Sequence, residues 1–116
     1  YFTEKELAEI HRYMQAELLK AGARIDAVYY CPHHPDENCD CRKPQPKMIL
    51  QAVHEYNIDT GLSYMIGDDP KDVAAGKNAG CKTILLTGEQ SGYGQTAADY
   101  EAANLLEAAK WIISQA

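Results

Sequence analysis

Apolar positions along the chain keep two rhythms, one with the period of a helix and one of short unbroken runs. Leu7, Ile10, Met14, Leu18 and Ala21 recur at three- and four-residue spacing and predict a helix of about 20 residues with one apolar face. Thr3 can cap it, Glu6 can reach back to complete a capping box, Phe2 can pack on Leu7 as a staple, and Gly22 is the predicted stop. Ile25 to Tyr30 is short, apolar and rich in β-formers, which predicts a strand. After Pro44 and Pro46, the segment Lys47 to Tyr56 brings Met48, Ala52, Val53 and Tyr56 to one face of a second helix. Leu62 to Ile66 is the next predicted strand. Gly67-Asp68-Asp69-Pro70 then turns the chain into a helix, with Asp69 as cap and Pro70 at its first position, ending near Gly80. Thr83 to Leu86 reads as a further strand, Gly88 to Gly94 as a flexible loop and Asp99 to Ala103 as a short edge strand. A last helix carries Leu105, Leu106, Ala109 and Ile112 behind a capping box of Asn104 and Glu107.

Strands alternating with helices at this spacing predict parallel pairing through right-handed crossovers, hence a layered α/β fold. No internal repeat or low-complexity tract interrupts the pattern. At 116 residues the chain fits one domain, 1–116, small enough for a metal staple to help its stability. There is no apolar run of bilayer length, so no membrane span is expected. The net charge of -6, with no basic stripe, argues against binding a nucleic-acid backbone. The chain begins at Tyr1 rather than methionine, two residues before the cap Thr3, so the natural polypeptide is expected to start upstream.

The cysteines change the picture. Three of the four lie with two histidines in Cys31-Pro32-His33-His34-Pro35-Asp36-Glu37-Asn38-Cys39-Asp40-Cys41, and no signal peptide is expected. Metal ligation in a reducing compartment, the cytoplasm, fits better than two disulfides. Cys-x-His, a five-residue spacer and Cys-x-Cys offer three thiolates and an imidazole, a closed tetrahedral set for a structural zinc ion. Cys31, His33, Cys39 and Cys41 are the expected ligands of this loop, 31–41; disulfide pairing or unliganded thiols are the alternatives. His34 is the adjacent candidate for the fourth place, but alternation along the backbone puts His33 with Cys31. Cys81 stands alone before a strand and reads as a small buried hydrophobe.

Arg42, Lys43 and Pro44 follow directly. Such a triplet alone is solvated surface, but beside a rigid zinc clip Arg42 can hold phosphate oxygens or sugar hydroxyls and Lys43 can neutralise charge on a transferred phosphoryl group. Gly67-Asp68-Asp69-Pro70-Lys71-Asp72 stands at the carboxyl end of a predicted strand, where open parallel sheets bind ligands. Magnesium takes hard oxygen ligands and keeps several waters, which makes Asp68 its expected ligand and Asp72, one turn on, a residue that orients it from outside. The plainer reading of the same turn is a helix start and nothing more.

With both constellations in view, CPHHPDENCDCRKP followed by YMIGDDPKD resembles the haloacid-dehalogenase-like phosphatases, most closely the D-glycero-D-manno-heptose 1,7-bisphosphate phosphatase family. The likeness covers nearly the whole chain, from the Tyr-Phe-Thr helix to Leu-Leu-Glu-Ala-Ala-Lys-Trp-Ile. It implies a three-layer α/β/α fold with a parallel sheet, a structural zinc, a catalytic magnesium and hydrolysis of the heptose bisphosphate to the 1-phosphate in lipopolysaccharide precursor synthesis. Histidinol-phosphate phosphatases share a similar zinc loop and are the alternative; Tyr29-Tyr30 and the Gly88 to Gly94 segment tilt toward the heptose.

The resemblance also implies an attacking aspartate and an acid/base aspartate in an Asp-x-Asp pattern on an N-terminal strand. No Asp-x-Asp followed by Gly-Thr occurs here, and the Ser or Thr motif that binds phosphate after the second strand is also missing. What carries over is Arg42 to substrate recognition, Lys43 to phosphoryl stabilisation and Asp68 to magnesium. Asp69 stands where family members have a lysine that contacts substrate, which leaves that role in question. The missing strand implies a split sheet, so the chain by itself is expected to be inactive and to need its upstream residues, another chain or an exchanged strand; the complete protein is expected to be monomeric. A non-catalytic zinc-binding module is the competing class. A redox thiol protein would need Cys-x-x-Cys, which is absent.

Overall fold

In the computed structural model, residues 3–29, 46–88 and 97–115 are described. The predicted Phe2 staple, the zinc ligands Cys31, His33, Cys39 and Cys41, the neighbouring His34, and Arg42 and Lys43 lie outside them, as does most of the predicted 88–94 loop. The chain divides into two compact units, Tyr1–Cys39 and Asp40–Ala116.

The first unit is built on helix α1, Glu4–Lys20. Its predicted capping box is present: the Glu6 N–H donates to Thr3 Oγ1 at 3.1 Å and the Thr3 N–H to Glu6 Oε1 at 3.3 Å. It stops as foreseen at Gly22, whose φ of +81° lets the Gly22 and Ala23 N–H groups turn back to the carbonyls of Leu19 and Leu18. The apolar face is rotated from the expected one. Leu7, Met14 and Leu18 are half-buried, but Ile10 is 44% exposed and His11 is turned inward instead.

The predicted strand Ile25 to Tyr30 is not one over its described residues. A strand needs a backbone partner, and Ile25 has a side chain in that place. Gln15 Nε2 donates to the Ile25 carbonyl at 2.8 Å and the Ile25 N–H donates to Gln15 Oε1 at 3.2 Å, so the amide closes the same pair of bonds that a neighbouring strand would.

In the second unit the order is α2 (Lys47–Tyr56), a 3₁₀ turn (Thr60–Leu62), β1 (Tyr64–Gly67), α3 (Pro70–Ala79), β2 (Lys82–Leu86), β3 (Tyr100–Ala102) and α4 (Leu105–Ser114). β1 begins two residues later than predicted. Asp59 caps the 3₁₀ turn by accepting the Gly61 N–H at 3.0 Å, and this takes Leu62 out of the strand. On α2, Met48, Ile49, Ala52 and Val53 turn inward, whereas Tyr56, expected on that face, is 51% exposed where the helix ends at left-handed Asn57.

The three strands pair in parallel in the order β1-β2-β3, with Ile66 beside Ile84 and Ile84 beside Tyr100. Because side chains alternate across a strand, the sheet has two different faces. Met65 and Thr83 meet α3, and Tyr64, Ile66, Ile84 and Leu86 meet α4. The result is three layers, α/β/α. On the α4 side Ile84, Ala102 and Ala108 are buried, and Trp111 stacks on Tyr100 at 4.6 Å and meets the Tyr64 ring edge-on at 5.9 Å. Leu105 and Leu106, expected inward, are 61% and 63% exposed. The capping box expected before them is half made: Asn104 accepts the Glu107 N–H at 2.9 Å, and the Glu107 carboxylate faces Lys110 at 3.5 Å instead of returning to the cap.

Ahead of β3, Asp99 locks the edge strand. Its N–H donates to the Thr83 carbonyl at 3.0 Å, and its Oδ2 accepts the Thr83 N–H at 2.7 Å and the Thr83 hydroxyl at 3.2 Å. Among the described residues, no helix is long and apolar enough to cross a membrane.

Two outcomes follow from the sheet. Ile84 is fully buried, so Ile84→Ala is expected to cost about 2–5 kcal/mol in urea unfolding. The Thr83 N–H holds the Asp99 carboxyl below its ordinary value of 3.8, outweighing the opposing effect of its partial burial. A carboxyl depressed in the folded chain contributes stability that is complete above its unfolded value and is lost as pH falls through its folded value. Thermal melts carried from neutral pH into acid should therefore show a loss that sets in near and below 3.8 and is shallower in Asp99→Asn; identical slopes for the two proteins would refute the assignment.

Candidate functional site

The strands are parallel, so their carboxyl ends share one edge of the sheet. β1 delivers Gly67 and Asp68 there, and β2 delivers Thr87 and Gly88. β3 delivers Ala103 and Asn104, the cap of α4. The ladder continues past the strands, with the Thr87 N–H on the Ala102 carbonyl at 2.9 Å and the Gly88 N–H on that of Ala103 at 3.0 Å. Gly88 has a φ of +62°, a conformation that favours glycine at this exit.

The densest chemistry on this edge is the turn from β1 into α3, where three carboxylates fall within five positions. Asp69 is the predicted cap: its backbone is extended, its Oδ1 accepts the Lys71 N–H at 2.8 Å, and Pro70 opens the helix where no N–H is needed. Asp72 is 3% exposed, and its Oδ2 accepts the Asp69 N–H at 3.2 Å. The two thus form a reciprocal capping box, with Asp in the place more often held by Glu. Asp68 is exposed at the strand end. Sequence reasoning placed Asp68, Asp69 and Asp72 together, and the turn brings them together. It missed what holds them. Gly67 has no room for a side chain because the Asp72 side chain lies against it, and the only sequence signal was the five-residue separation of a strand-end glycine from an aspartate in the first helical turn.

Among the described residues, no group of three or more His, Cys, Asp or Glu is arranged to hold a metal ion by itself. The donor chemistry of the turn nonetheless fits magnesium, which is held by one or two carboxylates with waters and other ligands completing the shell. Asp68 could supply such an oxygen. Cys81 is half-buried with its thiol pushed up by burial, as befits a packing residue.

Comparison with known proteins places the chain. Residues 40–109 match the family model for HAD-hydrolase-like proteins. A D-glycero-β-D-manno-heptose-1,7-bisphosphate 7-phosphatase of Yersinia pestis is 40% identical over 121 residues, covering 96% of this chain and 64% of that protein. The proteins of the same name from Pasteurella multocida and Helicobacter pylori J99 are 42% and 47% identical, each over 74% of this chain and 50% of its own length. The chain therefore spans half to somewhat under two thirds of the length of these relatives. The crystal structure of the D,D-heptose 1,7-bisphosphate phosphatase of B. bronchiseptica, complexed with magnesium and phosphate, superposes with a TM-score of 0.86 at 30% identity, over 99% of this chain and 67% of that one.

If Asp69 acts as a cap, Asp69→Ala should cost about 1 kcal/mol in denaturant unfolding and Asp69→Ser or Asn should recover most of it. Equal losses in all three would remove the capping role.

Proposed function

The chain belongs to the HAD-hydrolase-like family, and from that premise we propose that the protein is a magnesium-dependent phosphatase acting on a phosphorylated heptose. Its substrate is D-glycero-β-D-manno-heptose 1,7-bisphosphate, which it hydrolyses at the 7-phosphate to leave the sugar 1-phosphate, in the cytoplasm. The observation that carries the reading is the likeness to proteins of that name and to the magnesium- and phosphate-bound structure, which runs through the turn bearing Asp68.

Each residue has a role that its chemistry supports. Asp68 would ligate magnesium, and Asp72 would hold the turn that presents it. Magnesium, when bound, screens the approach of an anionic nucleophile to an anionic phosphate. Arg42 would grip phosphate or sugar oxygens in its planar fork, and Lys43 would neutralise charge developing on the phosphoryl group. Cys31, His33, Cys39 and Cys41 would hold a structural zinc that stiffens the base from which both cations project. Asp69, with an oxygen committed to the cap, is the weakest candidate for substrate contact. No residue of this chain is assigned the attacking aspartate.

The test is turnover of heptose 1,7-bisphosphate and of histidinol phosphate by the intact protein with magnesium, alongside metal analysis. Preferred turnover of the heptose compound is expected, with Asp68→Asn lowering kcat/KM by at least about 100-fold. One zinc per chain should be present and lost in Cys39→Ser. Preference for histidinol phosphate would move the substrate, and no turnover of either with zinc retained would make the protein a non-catalytic zinc module.

A further inference from the structure

We infer that Gly67 is a positioning residue: its missing side chain is the seat of the Asp72 side chain, and this contact sets the turn that carries Asp68. Among the described residues the glycines with positive φ are Gly22, Gly80 and Gly88, and Gly67 is not one of them. Left-handed backbone is therefore not the reason for glycine here, and the reason left is space. A methyl group on Gly67 would overlap the Cβ, Cγ and Oδ2 atoms of Asp72.

Neither side of this contact can give way easily. Asp72 is 3% exposed and bonded through Oδ2 to the Asp69 N–H, so its carboxylate cannot swing into solvent without breaking the cap. Lifting the helix that carries it would open the buried contact that α3 makes with the sheet at a second glycine. A methyl on Gly76 would stand 2.6 Å from Met65 Cβ and 2.8 Å from Thr83 Cγ2, which shows how closely the helix lies there. Val73, Ala75 and Ala79 complete the buried face of α3. With α3 fixed at both points, an alanine at 67 must displace what moves most easily, the turn between them, which is Asp68 and Asp69.

Gly67 and Gly76 are thus both tight, Gly67 the tighter, but differ in what they govern. The first sets the carboxylate turn and the second sets the helix on the sheet. The contact itself stands on geometry alone, and only its effect on a cation rests on the proposed role of Asp68.

The test is a set of variants of the intact protein: Gly67→Ala alone and combined with Asp72→Gly or Asp72→Ala, the two Asp72 variants alone, and Gly76→Ala. Unfolding is measured without metal and magnesium binding by calorimetric titration. Gly67→Ala should raise the unfolding constant about tenfold or more in the parent and in Asp72→Ala, whose Cβ still blocks the site. In Asp72→Gly the same change should cost less than about threefold. Magnesium affinity should fall about tenfold in Gly67→Ala and stay within about twofold in Gly76→Ala, although the latter also unfolds more readily. An equal cost of Gly67→Ala in the parent and in Asp72→Gly would overturn the inference, as would folded Gly67→Ala with parental magnesium affinity. If Gly67→Ala does not fold, folding of its combination with Asp72→Gly supports the seat, and failure of that combination where Asp72→Gly folds overturns it. Absence of magnesium binding in the parent would refute the role proposed for Asp68, and the seat would then be judged on the unfolding cycle.

Discussion

What the carboxyl edge of this sheet presents depends on how closely α3 lies against β1 and β2. That closeness is a matter of shape more than of apolar area. The buried face of α3 is made of Val73, Ala75, Gly76 and Ala79, residues too small to contribute a large transfer free energy but small enough to let backbone approach backbone. A helix held this way has little freedom to slide along the sheet, because Gly76 already lies close to Met65 and Thr83, and Asp72 close to Gly67. The opposite layer works differently. Trp111 and Ile112 give α4 the large side chains that α3 lacks, and their packing with Tyr64 and Tyr100 of the sheet over Ile84 and Ala102 supplies the apolar burial. One layer positions, and the other stabilises.

The buried Asp72 belongs with the positioning layer. A carboxylate at 3% exposure is costly unless its oxygens are bonded, and the Asp69 N–H at 3.2 Å is one return on that cost. A leucine would fill the same space with less desolvation. It would not accept the N–H of Asp69, and the turn would lose the bond that relates the strand end to the helix start. At the far end of β2, the Thr83–Asp99 pair does similar work for the edge strand, tying β2 to the entry of β3 through an aspartate on the Thr83 N–H.

Apart from the half-made Asn104–Glu107 box, features that depend on neighbours in sequence were legible before the fold was seen. The Thr3–Glu6 box, the Asp69–Pro70 start and the Gly22 and Gly80 stops are decided within a few residues, and each was read correctly. Features that depend on distant partners were not. Ile25 has the composition of a strand, but its backbone is satisfied by Gln15, and no local pattern announces that. The inward face of α4 was misread at Leu105 and Leu106, though not at Ile112, because they are as apolar as the residues that pack, and only the position of Tyr100 and Ile84 selects Trp111 and Ala108 over them. The site divides the same way. Asp68 could be found because an acidic turn after an apolar strand in a parallel sheet is a sequence pattern, whereas the seat of Asp72 on Gly67 is a contact between atoms that only the tightness of the turn creates. The zinc ligands, Arg42 and Lys43 lie outside the described residues, so their assignment rests on spacing and on the likeness to relatives.

Charge explains why the proposed chemistry needs those cations. Three carboxylates within five positions repel one another and any phosphate that approaches. Asp69 accepts the Lys71 N–H and Asp72 the Asp69 N–H, both at the N-terminus of α3 where the helix dipole favours negative charge. Asp68 precedes the helix, outside its capping bonds, and is exposed at the strand end. A turn built this way favours a divalent cation over an anion, and a chain of net charge -6 does little at long range to draw a phosphate in. A phosphorylated sugar can therefore be held at this edge only if positive charge is brought to it. In the proposed phosphatase magnesium on Asp68 and the side chains of Arg42 and Lys43 would supply that charge, acting on the same phosphate.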